Sequence, residues 1–343
     1  MARAFLLSAT PENDRTDFNL APLSELRKSA ALDPFGIHSQ TADPAAADLI
    51  IFVEFYGGGW YFERVRKHPL VKRYREKCFL FCANPLVIPF LPGVYSGLER
   101  RWATSRTRAG FYLGRTKNEF TTYTSPTADL PYLFSFMGSV RNAPVRAKLA
   151  TLRHRRSFFR DTAEDFERIL DRRMSHRERL DYDRRYADVT RASKFVLCPR
   201  GLSPSSIRLF ETMQMGRVPV ILADTWVPPV GPCWERFAIQ VPEKDFTRLP
   251  PILEEREDQA VEMGELARAE WERWFSEEVL FHHLVELCLD IQRDRTIPEA
   301  LARWSAYVHY LRPFHFRRML GRLVRTFWRT GRTEATDPQR CPQ

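Results

Sequence analysis

The chain has 343 residues, 44% hydrophobic and 13% aromatic, which is enough apolar material for two ordinary cores. Charged residues make up 28%, and neither the 15 Gly nor the 24 Pro gather in one tract, which excludes a short peptide module, a disordered scaffold and a low-complexity chain. The formal net charge is +10 and 45 of the 53 basic residues are Arg; this points to an anionic partner (a nucleotide, a nucleic acid or an anionic membrane face) without choosing among them.

In chain order, Ala4–Ala9 reads as a first strand and Pro22–Ala30 as a short helix. Asp48–Phe55 is a continuous apolar run, followed by the Gly57-Gly58-Gly59 turn, a basic amphipathic helix over Tyr61–Lys77 and a second apolar run, Cys78–Cys82. Strand, glycine turn, helix and strand make a βαβ unit, hence a parallel sheet buried on both faces. Residues 84–130 read as loops with one strand, Phe120–Thr124. Tyr132–Met137 then enters Gly138-Ser139 and a helix over Pro144–Leu152, and residues 153–192, dense in both charge signs, read as exposed helices. Lys194–Cys198 is a strand, Pro204–Met215 a helix and Val218–Leu222 a buried strand, so this half also repeats βα units. Arg248–Gln292 is helical throughout, and Pro313–Arg332 is one basic amphipathic helix. That last helix either faces an anionic membrane or packs back across the domain interface.

The longest apolar run, Leu49–Val53, is stopped by Glu54, far short of the roughly 20 residues of a membrane span. Met1–Ala9 is too short for a secretory h-region, and no Asn stands in a glycosylation acceptor. The six Cys (78, 82, 198, 233, 288, 341) show neither a disulfide framework nor metal-ligand spacing. A cytoplasmic protein with reduced thiols and no structural metal is the expectation.

The stretch richest in chemistry runs from Phe195 to Leu222. Ser203 is an N-cap type with Pro204 at the first helical position, and Gly216 is where the helix should end. Arg200-Gly201 leading into a serine-rich helix start is an anion site by construction: free backbone N–H groups and the positive helix end converge there, Ser205 and Ser206 add hydroxyls, and Arg200 and Arg208 supply bidentate charge. Glu211, one turn further in, offers two acceptor oxygens suited to a ribose diol. The plainer alternative is an Arg208–Glu211 surface ion pair with serines that merely cap.

This stretch resembles the exostosin family, glycosyltransferase family 47, through Cys198-Pro199-Arg200-Gly201, then Ser206, Arg208, Glu211, Thr212 and Met213, then Val218–Leu222 with Asp224-Thr225-Trp226 and Pro228. Phe136–Ser139 and Arg146–Leu149 are similar to the family's upstream element. The resemblance implies an α/β, GT-B-like fold with two Rossmann-like domains facing a cleft: residues 1–130 on the acceptor side, 131–292 holding a nucleotide-sugar, and 293–343 as a basic helical tail. It also implies inverting, metal-independent transfer to a glycan or lipid-linked acceptor, in polysaccharide or glycoconjugate synthesis, with no cofactor beyond the donor. Arg146, Arg200 and Arg208 would neutralise the departing diphosphate, Gly201, Ser205 and Ser206 would seat it, and Glu211 would hold the ribose.

Inversion needs a base on the acceptor side. Glu54, ending a buried strand, is the first candidate and His38 the rival. Asp181-Tyr182-Asp183 reads as a D-x-D metal motif but lies in a solvated helical run, which argues against a metal. The competing functions are a noncatalytic partner subunit and a basic nucleic-acid-binding protein; no nucleic-acid-binding motif supports the latter. A cytoplasmic location completes the expectation, with peripheral contact at the inner face of a membrane as the alternative the basic tail leaves open.

Overall fold

A computed structural model of the chain describes residues 1–11, 17–55, 60–84, 88–113, 118–171 and 173–311, together with 313, 316, 317 and 319–321. The Gly57–Gly59 turn, Cys341 and most of Pro313–Arg332 lie outside the described residues.

The first half contains β1 (Arg3–Leu7), α1 (Asp17–Leu32), β2 (Ser39–Gln40), β3 (Leu49–Glu54), α2 (Glu63–Lys67), α3 (Pro69–Arg73), β4 (Cys78–Cys82), β5 (Gly93–Tyr95) and β6 (Thr107–Ala109). Its strands form one parallel sheet in the order β2-β1-β3-β4-β5-β6. β3 and β4 are buried at every residue, as a parallel strand covered on both faces requires. Three expectations are corrected here. Tyr61–Lys77 is two short helices flanked by single turns, because His68 is extended before Pro69 and its Nδ1 accepts from Leu70 N at 3.2 Å, restarting the helix. The stretch read as loops supplies β5 and β6, too short for a periodic signal. Phe120–Thr124 is no strand: Asn118 ties it into a turn through Phe120 N and Thr121 Oγ1.

The second half contains β7 (Tyr132–Gly138), α4 (Pro144–Leu149), β8 (Ser157–Asp161), α5 (Ala163–Leu170), α6 (His176–Arg191), β9 (Ser193–Pro199), α7 (Ile207–Gln214), β10 (Val218–Leu222), α8 (Trp234–Phe237), β11 (Ile239–Gln240), α9 (Leu249–Glu255), α10 (Ala260–Phe275), α11 (Leu280–Asp294) and α12 (Glu299–Ser305). Its sheet, also parallel throughout, runs β11-β10-β9-β7-β8. β8 falls in the charged run read as helix; it is a half-buried edge strand whose outer residues carry charge.

The halves share one core. Tyr112 meets Phe210 edge-on at 5.9 Å, Phe210 meets Phe275 at 4.9 Å, and Arg100 N donates to Thr225 O at 2.9 Å across the join. α11 returns to pack on α1, β5 and β6, so the stretch 131–292 includes a helix that covers the other sheet. α12 is anchored to the first half by Arg106, which grips the buried Glu299 with two hydrogen bonds of 2.9 and 2.6 Å. Each half is thus a Rossmann-like α/β unit built on its own parallel sheet, as the two-domain expectation has it. Among the described residues no helix is long and apolar enough to cross a membrane.

Candidate functional site

β9 is buried along its whole length between β7 and β10, so its carboxyl end delivers Arg200 to the crevice with little freedom. Arg200 N is held by Leu222 O at 3.0 Å, and Gly201 N by Ser203 O at 3.1 Å. Ser203 Oγ donates to Ser205 O at 3.0 Å, and Tyr112 of the first half donates to the same carbonyl at 2.9 Å. These bonds make Ser203–Ser205 a buried turn rather than helix. α7 therefore begins at Ile207, not at Pro204, and its N-cap Ser206 makes no side-chain cap bond. The far end is as the glycine foretold: Gly216, at φ +70°, follows the C-cap Met215.

Arg208 and Glu211 do not pair with each other. Arg208 is buried, its Nη2 donates to Met137 O at 2.6 Å, and its guanidinium lies 4.8 Å from the centre of the Phe136 ring. Room for it comes from Gly138, where an added Cβ would stand 2.4 Å from that Nη2. Glu211 instead accepts from Tyr186 Oη at 2.7 Å. Burial and the neighbouring Glu211 carboxylate push the Tyr186 phenol well above its ordinary range, so it stays a donor. Among the described residues, Ser205 Oγ and Arg208 Nε are buried without a hydrogen-bond partner, an arrangement that ordinarily costs about 1–3 kcal/mol each.

Two of the expected phosphate ligands are engaged elsewhere. Arg146 spends its donors on the carbonyls of Arg200 (2.8 Å), Ser139 and Pro199 (both 3.2 Å). It ties the ends of β7 and β9 together beneath the loop, and a Cβ on Gly201 would stand 3.1 Å from its Nη2. Arg200 Nε pairs with Glu243 Oε1 at 2.7 Å, and Glu243 also closes a ring with Asp224. Glu243, Tyr112 and Tyr186 were missed by the sequence reading.

A cavity of about 380 Å³ opens between the halves, lined by Glu25 of α1, Tyr112, Asn118, Phe210, Glu211 and Trp271 among others. That volume suits a small ligand, and Glu211 is at its wall.

Glu54 ends β3, fully buried, and accepts from Ala9 N at 2.5 Å and from Ser8 Oγ at 3.2 Å. Burial raises its carboxyl to about 7, against the lowering effect of those hydrogen bonds and of Arg64. His38 sits elsewhere: it precedes β2, which pairs with the first residues of β1, and its Nε2 is 2.8 Å from Glu286 Oε1. It is therefore at the opposite strand end from Glu54, away from the ligand crevice. Asp181 and Asp183 lie in α6; Asp181 is exposed and Asp183 is buried against Arg179 at 2.7 Å, so the two do not converge. Cys78, Cys82, Cys198 and Cys288 are buried free thiols; burial raises Cys78 to about 12 and Cys198 to about 11, so none is a thiolate nucleophile.

Residues 118–256 match the exostosin GT47 domain. The match takes in α6, β9, the Arg200–Ser206 loop, α7 and β10. An exostosin-1 homolog of Caenorhabditis elegans is 33% identical over 116 residues, 32% of this chain and 30% of that protein. A probable beta-1,4-xylosyltransferase of Arabidopsis thaliana is 44% identical over 70 residues, 20% of this chain and 17% of that one. The chain thus spans less than a third of the length of these curated relatives. Among solved structures, sucrose-phosphate synthase of Thermosynechococcus elongatus superposes with a TM-score of 0.44 at 11% identity, over 85% of this chain and 99% of that one.

Proposed function

We propose that the chain is a glycosyltransferase whose nucleoside-diphosphate sugar donor is held at the start of α7. The observation that carries this reading is the pair of buried, unpartnered donors at that helix mouth, Ser205 Oγ and Arg208 Nε, within a GT47 domain. With the unsatisfied N–H groups of the first helical turn they make a site for a doubly charged leaving group. Glu211 keeps one oxygen on Tyr186 and offers the other to a ribose hydroxyl at the cavity wall. Arg146 acts as a positioning residue that fixes the loop, and Arg200 exchanges Glu243 for phosphate when donor binds.

Transfer in this proposal is inverting and metal-independent: Arg208 and the helix end supply the positive charge, and Glu54 takes the acceptor proton. A carboxyl near 7 is matched to that task at neutral pH. The acceptor is a glycan or lipid-linked glycan, and the protein works at the cytoplasmic face of an anionic membrane, toward which exposed Leu301, Val308 and Leu311 and the net charge of +10 are suited.

One observation favours a second reading, a noncatalytic partner subunit: Arg200 and Glu54 both have their polar atoms engaged within the protein. Release of nucleoside diphosphate from a panel of UDP- and GDP-sugars separates the two. Turnover that Glu54→Gln abolishes, with donor binding kept, is the expected result; turnover undiminished in that variant removes Glu54 as base, and donor binding with no turnover of any sugar favours the partner subunit.

A further inference from the structure

Away from the donor site, α11 carries His282 and Glu286 one turn apart, a spacing that sets both side chains on one helix face. His38, from the segment between α1 and β2, meets them there: its Nε2 is 2.8 Å from Glu286 Oε1, and the His38 and His282 rings are 5.1 Å apart. One ligand atom from each of the three residues lies within 4.8 Å of the others. His38 is buried and the other two are half-buried.

Hydrogen bonding within the protein leaves this cluster incomplete. His38 Nδ1 and His282 Nδ1 are both buried without a partner, as is Oδ2 of Asp33, the acidic residue at the head of the same segment. Phe35 stacks on His282 at 4.1 Å and holds the ring in place. A simple His–Glu ion pair explains one nitrogen of one ring and none of these orphans.

We propose that His38, His282 and Glu286 bind a divalent transition-metal ion, zinc by the chemistry of the set. Two imidazoles and a carboxylate are borderline ligands that suit zinc and not the oxygen-seeking magnesium or calcium. Tetrahedral zinc with bonds near 2.0–2.1 Å holds its ligand atoms about 3.3 Å apart; the observed separations, from 2.8 Å to at most 4.8 Å, bracket that value, so the three groups already stand near the spacing the ion needs. A fourth position is left for water. His282 and Glu286 also line a second cavity of about 350 Å³ with Pro229, Trp274 and Asp290, through which an ion can enter. The ion would join the end of α1 to α11, a helix from the other end of the chain, and its existence does not depend on the transferase reading.

The test uses the full chain, stripped with a chelator and titrated with zinc sulfate, with bound metal counted by mass spectrometry and the melting temperature followed. One zinc per chain and a rise in Tm are expected, with magnesium producing neither. Glu286→Gln, at a half-exposed position, and His282→Ala should each weaken zinc binding at least about tenfold, with nucleoside-diphosphate affinity unchanged. Absence of stoichiometric zinc in the wild type, or wild-type zinc affinity in both variants while circular dichroism shows them folded, overturns the proposal.

Discussion

Replacing Glu54 with Gln separates the cost of a buried carboxyl from its use. The folded protein holds this group at about 7 against 4.5 for the free side chain, chiefly through burial. A raised carboxyl stabilises the fold fully below pH 4.5, where both states are protonated; its contribution falls as pH climbs toward 7, because the unfolded chain ionises first and the folded one is left with a reluctant acid. The displacement corresponds to about 3 kcal/mol. Gln keeps an oxygen to accept from Ala9 N and Ser8 Oγ, which now contact the carboxyl at 2.5 and 3.2 Å, and it never ionises. Glu54→Gln should therefore match the wild type near pH 4 and exceed it by up to about 3 kcal/mol at pH 8, read from urea unfolding at both values. A stability difference that does not change between those pH values would refute the argument that burial dominates this site.

Other consequences follow from the same contacts. Gly138→Ala would drive a Cβ into Arg208 Nη2 and to 3.1 Å from Phe136 Cζ; pushing this buried guanidinium off Met137 O should cost about 1–3 kcal/mol of stability in denaturant unfolding, while calorimetry shows nucleotide affinity falling roughly tenfold, a loss of about 1.4 kcal/mol. Tyr186→Phe removes the 2.7 Å bond to Glu211, a charge-assisted contact of about 1.5–3 kcal/mol, and should weaken nucleotide binding while leaving binding of inorganic phosphate intact. Arg217, almost wholly buried, donates to the carbonyls of Arg191, Thr124, Met215 and Gly216; Arg217→Met leaves these unsatisfied and should cost at least about 2 kcal/mol in denaturant unfolding.

The strands legible in the sequence were the apolar runs: β3, β4, β7, β9 and β10, nearly all of whose residues are buried, and β1, which alternates buried and half-buried residues. Those missed, β2, β5, β6, β8 and β11, are short or lie at an edge, where a strand needs few apolar residues. At the site, the residue types and order in Arg200–Glu211 were readable because a helix start following a strand fixes where backbone donors point. What composition could not show is which charges are already spent. Arg200 finds Glu243 and Arg146 finds three carbonyls only after folding, and the Ser203–Ser205 turn displaces the helix start because Tyr112, far away in sequence, claims its backbone. His282 and Glu286 stand one turn apart on α11, but the third member, His38, comes from the other end of the chain, and only folding brings it to them.

The central assignment rests on Arg208, so the most direct measurement is calorimetric titration of UDP and GDP into the wild type, Arg208→Met and Glu211→Gln, with circular dichroism confirming that each is folded. The account predicts binding of one nucleotide by the wild type and a loss of at least about tenfold in either variant, greater for Arg208→Met because it removes a buried charge that faces the diphosphate. Equal affinity in all three proteins, or no affinity for any nucleoside diphosphate in the wild type, would contradict it.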